Sequence, residues 1–394
     1  MLHDCHITAY TLTCASGTGR DAVTESLQAG NSGLSAKPWP NSDVDTWLGR
    51  VSNNAIESFA IERVWESRNN RLAALGLAQD GFSDAVADAI QQFGSGRVGL
   101  ILGTSTSSID RTETAYLNLE GGHFTAEYLQ PLIHTPHSTA AFVQSQLGIG
   151  GPAITVSTAC SSSAKAFASG ARWLENGLVD AVVIGGVDSI CLSVIYGFHS
   201  LQLLSEDICK PFDENRSGIN LGEAAGFALL QKQSALTRGY RLLGYGESTD
   251  AWHMSTPHPE GLGAKLAMQK ALSMAGLKPA EVDYLNLHGT GTRANDNIEG
   301  LVCADLFPEH TTISATKGWT GHTLGAAGIT EAIICLEALR NGFAPGTLNT
   351  EEPSTALERR LSRATKTQAM NTAMTNSFGF GGNNCSLIFG GQPQ

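Results

Sequence analysis

Two stretches decide the reading of this chain: "VGLILGTST" (Val98 to Thr106) and "VDYLNLHGTGT" (Val282 to Thr292). Each is an apolar, strand-like run that ends in Gly-Thr-x-Thr. The echo continues downstream. "ACSSSAKAFASGARWLENG" (159–177) and "GHTLGAAGITEAIICLEALRNG" (321–342) are both helical stretches rich in small residues, and both close on Asn-Gly, a helix stop signal. Beyond each lies a short β-rich run into Gly-Gly, "AVVIGGVDS" (181–189) and "CSLIFGG" (385–391). Three echoes in matching order point to an internal duplication. Near-continuous apolar strands alternating with helices indicate mostly parallel sheets covered on both faces. The expected fold is therefore a duplicated α/β layer architecture, with an N-terminal half over residues 1–235 and a C-terminal half over 236–394. The halves should meet near residues 232–245, and the two small-residue helices should pack at the centre between two sheets.

The composition agrees with a large folded core. The chain has 394 residues, 42% hydrophobic and 16% charged. A net charge of −12 argues against nucleic acid as a main partner, since phosphate binding needs a basic surface. No run of about 18 uninterrupted apolar residues exists, so no membrane span is expected. Eight scattered cysteines without CxxC pairs, behind an amino terminus without a signal-peptide pattern, suggest a reducing, cytoplasmic setting. "HTPH" (134–137) and "HDCH" (3–6) lack a third ligand at a useful spacing, so no metal site is expected. No nucleotide loop follows "GTGT" either.

Cys160 sits where the strand-like "AITV" (153–156) hands over to a helix. Unpaired N–H groups and the helix dipole at such a place lower a thiol's pKa, which suits a nucleophile. Taken alone, it reads first as a small buried hydrophobe, the fate of most free cysteines. Its company shifts the balance. His288 ends an apolar strand, where side chains emerge at the carboxyl edge of a parallel sheet. "SATKGWTGHTLGAAG" supplies Lys317 and His322, and Glu331 follows on the next helix, where it would need a cation if buried. In "NSFGFGGNNCSLIFGG" (376–391), Phe378 and Phe380 alternate with glycines, giving either a plain hairpin or a loop whose N–H groups face an oxyanion.

Together, "TACSSS", "HGTGT…ND…E", "TKGWTGHTLGAAG" and "NSFGFGGNN" resemble the elongating, Cys-His-His β-ketoacyl-acyl carrier protein synthases of the thiolase superfamily. The resemblance covers nearly the whole chain. It implies a thiolase-like α-β-α-β-α fold with two mixed sheets around central helices. It implies that Cys160 accepts the acyl chain, that His288 and His322 support decarboxylation of the malonyl extender, and that Lys317 organises the site with Glu331. The N–H groups of Cys160 and Phe380 would form an oxyanion hole, with Phe380 also a gate. Thr290 and Thr292 would hold the phosphopantetheine arm, Phe378 would face the substrate, and Thr106 in "GTSTSS" would line the acyl pocket. Asp213, Glu223 and Asp250 fall in family-like segments and read as structural or tunnel-wall residues.

Thiolases use a second cysteine and initiating synthases Cys-His-Asn, so His322 favours the elongating class. Within it, "TACSSSAKA", "DAWHMSTPHPEG" and "GFGGNNC" resemble the ketosynthases of aryl polyene pigment synthesis more than housekeeping fatty acid enzymes. A fatty acid synthase subunit is the alternative, and a non-catalytic chain-length-factor subunit a weaker one, because the nucleophile is retained. No cofactor is expected to bind directly; substrates arrive on the 4'-phosphopantetheine of an acyl carrier protein. The expected partners are that carrier and a second ketosynthase-like subunit, identical or of the chain-length-factor type. Arg63, Arg68 and Arg71 could face the acidic carrier, or form a solvated helix face. Arg293 stands where the family usually has proline, which leaves the shape of that loop open and could place a cation for the carrier's phosphate.

Overall fold

The computed structural model of the protein describes residues 5–232 and 239–391. The main strands are β1 (His6–Cys14), β2 (Val98–Gly103), β3 (Ala153–Val156), β4 (Ala181–Asp188) and β5 (Ala224–Gln231), then β6 (Tyr240–Thr249), β7 (Tyr284–Asn286), β8 (Thr312–Ser314), β9 (Thr372–Gly379) and β10 (Asn383–Gly390). The first five lie in the spatial order β3-β2-β4-β5-β1 and the second five in the order β8-β7-β9-β10-β6. Directions repeat too. In each half the three outer strands run parallel, and the remaining two pairings are antiparallel. The duplication expected from the sequence is thus a duplication of topology.

One feature differs from two separate sheets. β1 and β6 pair antiparallel at His6 with Arg241 and Ile7 with Tyr240, so the two sheets join edge to edge. So short a ladder leaves no periodic signal in sequence. The proposed boundary at 235/236 lies outside the described residues.

Seven helices build the layers: α1 (Arg68–Leu77), α2 (Phe82–Phe93), α3 (Ser138–Leu147), α4 (Ser162–Glu175), α5 (Leu262–Ala275), α6 (Arg293–Leu306) and α7 (Ala327–Asn341). α4 and α7 pack against each other and against strands of both halves, while α1 to α3 cover the outer face of the first sheet and α5 and α6 that of the second. Three apolar clusters fill the spaces between layers. Strand alternation feeds them: on β5, Phe227 and Leu229 enter the outer cluster, whereas Ala228 and Leu230 enter the central one. α7 is buried on every face from Ala327 to Leu339, as a helix at the centre of a layered protein must be.

Small residues permit that central packing. A Cβ on Gly328 would stand 2.4 Å from the Ala164 nitrogen, so any side chain there would force α4 and α7 apart. Both helices stop where Asn-Gly suggests: Gly177 and Gly342 have φ of 69° and 64°, left-handed values that end a helix at little cost for glycine.

Candidate active site

The carboxyl ends of strands from both halves converge on one cavity of about 250 Å³, lined by Cys160, His288 and His322 among others. Cys160 follows β3 through a sharp turn in which Ala159 holds φ at 52°, a left-handed value that is strained for a residue with a side chain. Ser161 and Ser162 stitch this turn: the Ser161 hydroxyl donates to the Thr158 carbonyl at 2.9 Å, and the Ser162 hydroxyl accepts the Thr158 N–H at 2.9 Å. The sulfur is thereby presented just ahead of α4.

His322 Nε2 stands 3.0 Å from Cys160 Sγ. Its main chain is pinned to the other half, since the His322 N–H donates to the Asn220 carbonyl at 2.7 Å and its carbonyl accepts the Gly222 N–H at 3.0 Å. The Leu324 N–H donates to His322 Nδ1 at 3.1 Å, which assigns the ring proton to Nε2. The second imidazole is set the same way. Lys317 Nζ approaches His288 Nδ1 at 3.4 Å, contacts the His288 carbonyl, and pairs with Glu331. An ammonium beside Nδ1 leaves that nitrogen as an acceptor, so His288 also carries its proton on Nε2. Burial, reinforced by Lys317, pushes both imidazoles well below the ordinary histidine pKa, so both are neutral N–H donors at pH 7. Burial also pushes the Glu331 carboxyl up to about 7, against the pull of Lys317.

The ligand atoms of Cys160, His288 and His322 lie within 4.8 Å of one another, a spacing a soft divalent ion could bridge. The donors facing each Nδ1 oppose that use. A metal at Nε2 would have to displace the ring protons that those donors enforce.

The thiol departs from the sequence expectation. Burial pushes the Cys160 pKa up to about 11, outweighing Lys317 and the main-chain N–H groups of Phe380 and Cys160 that favour the thiolate. The helix start is present, but Cys160 as a residue is only 5% exposed, so the neutral thiol is the resting form. Those two N–H groups converge on the sulfur because Gly379 lies alongside: its missing Cβ would stand 3.2 Å from the Cys160 nitrogen and 2.8 Å from the Thr158 carbonyl oxygen. Phe380 packs against Phe198 at 5.6 Å between ring centroids, and Phe378 against His288 at 5.9 Å. Thr290 and Thr292 line the cavity with their hydroxyls 2.9 Å apart.

Several carboxylates act behind this surface, and sequence reasoning missed them. Glu299 accepts the N–H groups of His288 at 2.8 Å and Gly289 at 2.9 Å, fixing the loop that carries the imidazole. The sequence carried this residue as the last letter of "HGTGT…ND…E" without a role. Asp188 is fully buried and accepts from Thr104, Ser105, Thr106 and Ala326. Only its place at the end of an apolar strand marks it.

Of the remaining candidates, only Asp250 borders this cavity. Thr106 donates to Asp188 at 2.7 Å and lines a second, separate cavity of about 240 Å³ together with Ser107, Thr112 and His134. Asp250 lines the main cavity and accepts from Asn384 at 2.8 Å. Asp213 accepts the N–H groups of Glu351 and Glu352, a structural use. Arg68 is not a docking cation: Glu223 binds it through both carboxylate oxygens at 2.6 Å each, and the side chain is mostly buried. Arg71 is likewise bidentate on Glu66. Arg293 is the first residue of α6, behind the Thr292 cap, and donates to the Glu214 carbonyl at 3.1 Å. The first helical position is where proline is favoured, and here arginine occupies it behind a capping threonine. His134 bonds Thr112 and the Tyr128 carbonyl, and His137 bonds Thr155; His3 lies outside the described residues.

A duplicated five-layer fold with a buried Cys-His-His cluster at the junction defines a thiolase-like condensing enzyme. Residues 4–235 match the N-terminal domain of beta-ketoacyl synthase and residues 241–351 its C-terminal domain, so the chain belongs to the β-ketoacyl synthase family. The mitochondrial 3-oxoacyl-[acyl-carrier-protein] synthase of Arabidopsis thaliana is 35% identical over 354 residues, 83% of this chain and 77% of that protein. Nodulation protein E of Rhizobium meliloti is 32% identical over 95% of this chain and 96% of its own. Among solved structures, the complex of a ketosynthase (ApeO) with its chain length factor (ApeC) from Xenorhabdus doucetiae contains a chain 38% identical, with a TM-score of 0.87 and 98% of both chains covered. The ishigamide ketosynthase/chain length factor is 26% identical, with a TM-score of 0.89, covering 99% of this chain and 100% of that one.

The activity is decarboxylative Claisen condensation of an acyl chain with malonyl-acyl carrier protein. The malonyl unit loses carbon dioxide, the resulting enolate carbon forms a bond to the acyl carbonyl, and the acyl thioester bond breaks to give a β-ketoacyl thioester. Among the described residues, no helix is long and apolar enough to cross a membrane.

Proposed function

We propose that Cys160 carries the growing chain, that His288 and His322 donate their Nε2 protons to the malonyl thioester oxygen as the enolate develops, and that the N–H groups of Cys160 and Phe380 hold the acyl oxyanion. The observation that carries this reading is the convergence of two neutral imidazoles, both protonated on Nε2, beside a buried thiol. Donors aimed at a developing oxyanion act strongly where water is excluded. Lys317, paired with Glu331, holds His288 in its tautomer. Thr290 and Thr292 offer a hydroxyl pair to the amides of a phosphopantetheine arm, and Phe378 and Phe380 form the wall and gate.

The pathway we infer is aryl polyene synthesis, with the acyl chain conjugated and aromatic-ended. The resemblance of "DAWHMSTPHPEG" and "GFGGNNC" supports it, as does the likeness across 98% of the chain to a ketosynthase–chain length factor complex. That complex also supports a chain-length-factor-like partner here, and exposed Tyr116, Leu117, Leu129 and Leu132 offer apolar surface for one. An acyl carrier protein delivers both substrates, and the scattered cysteines fit a cytoplasmic setting. A second reading, elongation of saturated fatty chains, is favoured by the 3-oxoacyl synthase relatives.

Competing carrier thioesters decide between them. Saturated, polyunsaturated and aromatic-ended chains are mixed in equal amounts with the protein, its candidate partner and malonyl carrier, and products are read by intact mass. Preference for the conjugated, aromatic-ended chain supports the aryl polyene reading; preference for saturated chains overturns it.

A further inference from the structure

We propose that Asp188 is a positioning residue for decarboxylation, holding the Leu324–Ala326 turn that fixes the proton of His322. The proposal rests on the reading of His322 as an N–H donor. Asp188 ends β4 at the junction of the halves, fully buried, and no basic side chain within 4 Å neutralises it among the described residues. A buried carboxylate of that kind persists only if hydrogen bonds satisfy it. Oδ1 accepts the hydroxyls of Thr104 and Thr106, each at 2.7 Å, and the Thr106 N–H at 2.8 Å. Oδ2 accepts the Ser105 N–H at 2.9 Å and, from the other half of the chain, the Ala326 N–H at 3.2 Å, an N–H shared with the Thr323 carbonyl at 3.0 Å.

Only the last of these reaches the catalytic side. Ala326 belongs to the short turn Leu324–Ala326, whose first residue has φ of 55°, a strained value for leucine. In that conformation the Leu324 N–H points at His322 Nδ1. The links therefore run from Asp188 to Ala326, through the turn to Leu324, and from Leu324 to the imidazole whose Nε2 faces Cys160. Without the carboxylate the turn relaxes toward ordinary backbone, the Leu324 N–H leaves Nδ1, and the ring is free to carry its proton on either nitrogen. Acyl transfer to Cys160 draws on the N–H groups of Cys160 and Phe380 instead, and these do not depend on the turn.

Asp188→Asn tests this selectively. The two Thr106 donors and the Thr104 hydroxyl fix the amide oxygen at Oδ1, where the Ser105 N–H also reaches it at 3.0 Å, so the amide NH₂ replaces Oδ2 and faces the Ala326 N–H, donor against donor. Gly325→Ala attacks the same junction from the opposite side, because a Cβ there would stand 2.8 Å from Asp188 Oδ2 and 2.7 Å from the Ser105 nitrogen and the Thr104 carbonyl carbon. Both variants and the unaltered protein are assayed for malonyl-carrier decarboxylation and for acyl-adduct formation on Cys160, with the ¹⁵N shifts of His322 as a record of its tautomer. We expect decarboxylation to fall about tenfold to hundredfold, less than loss of the donor itself, with acylation within about threefold and a mixed-tautomer signature. Equal loss of both activities, an unchanged ratio, or failure of both variants to fold would overturn the positioning role. Absence of decarboxylation in the unaltered protein would instead strike the reading of the site.

Discussion

His322 Nε2 and Cys160 Sγ, separated by 162 positions in the chain, stand 3.0 Å apart. The contact spans the two halves of the duplicated fold, and the Leu324 N–H on Nδ1 makes His322 the donor in it. The histidine therefore does not act as a resting base for the thiol. It is poised to stabilise the negative charge that develops on an enolate oxygen.

The two imidazoles should be separable from the nucleophile. His288→Ala and His322→Ala each remove one donor from the enolate oxygen, and malonyl decarboxylation should fall about 10²- to 10³-fold in each, by analogy with loss of an oxyanion-hole donor. Acyl transfer to Cys160 should survive. Parallel single-turnover assays of carbon dioxide release and of adduct mass check this.

The resting thiol should reveal itself in its pH dependence. With the Cys160 pKa pushed up to about 11 by burial, the thiolate fraction rises about tenfold per pH unit below that value. Alkylation of Cys160 by iodoacetamide, mapped by mass, should keep rising between pH 8 and 10. A plateau near pH 7 would mean that the helix start and Lys317 outweigh burial.

Breaking the buried pair should cost stability as well as activity. Glu331→Ala leaves the Lys317 ammonium buried without its counter-charge, and denaturant unfolding should show a loss of about 3–5 kcal/mol. The double change Lys317→Met with Glu331→Leu removes both charges and should regain much of that stability while decarboxylation stays low. Such a split separates the fold's need for the pair from the reaction's need for Lys317.

Gly379→Ala should block acylation selectively. The new methyl would crowd the Cys160 nitrogen and the Thr158 oxygen, closing the N–H pair that faces the acyl oxyanion. Adduct formation should fall by at least about a hundredfold, as for a lost oxyanion donor. Circular dichroism would check that the fold is retained.

The sequence made some parts of this site readable and hid others for a physical reason. Cys160, His288, Lys317 and His322 each sit at a strand or helix end within a few residues of a recognisable neighbour, so local chemistry marks them. Asp188 and Glu223 draw their partners from segments that only folding brings near: Arg68 lies 155 positions from Glu223, and a chain reading leaves it on a surface it does not occupy. The fold shows the same division. Matching strand endings and matching helix stops are local and expose the duplication, whereas the pairing of β1 with β6 involves too few residues to leave a pattern. The height of the Cys160 pKa was likewise hidden, because a helix start is visible in sequence and the depth of burial is not.

The most direct test of the account follows one chain through the site. The protein is loaded from an acyl carrier thioester, the adduct is located by peptide mass, and malonyl carrier is then added in a single turnover. The account predicts an acyl group on Cys160 that disappears as carbon dioxide is released and a β-ketoacyl carrier two carbons longer appears, with no adduct in Cys160→Ala. An adduct on any other residue, or an acyl-Cys160 that malonyl carrier does not discharge, would contradict it.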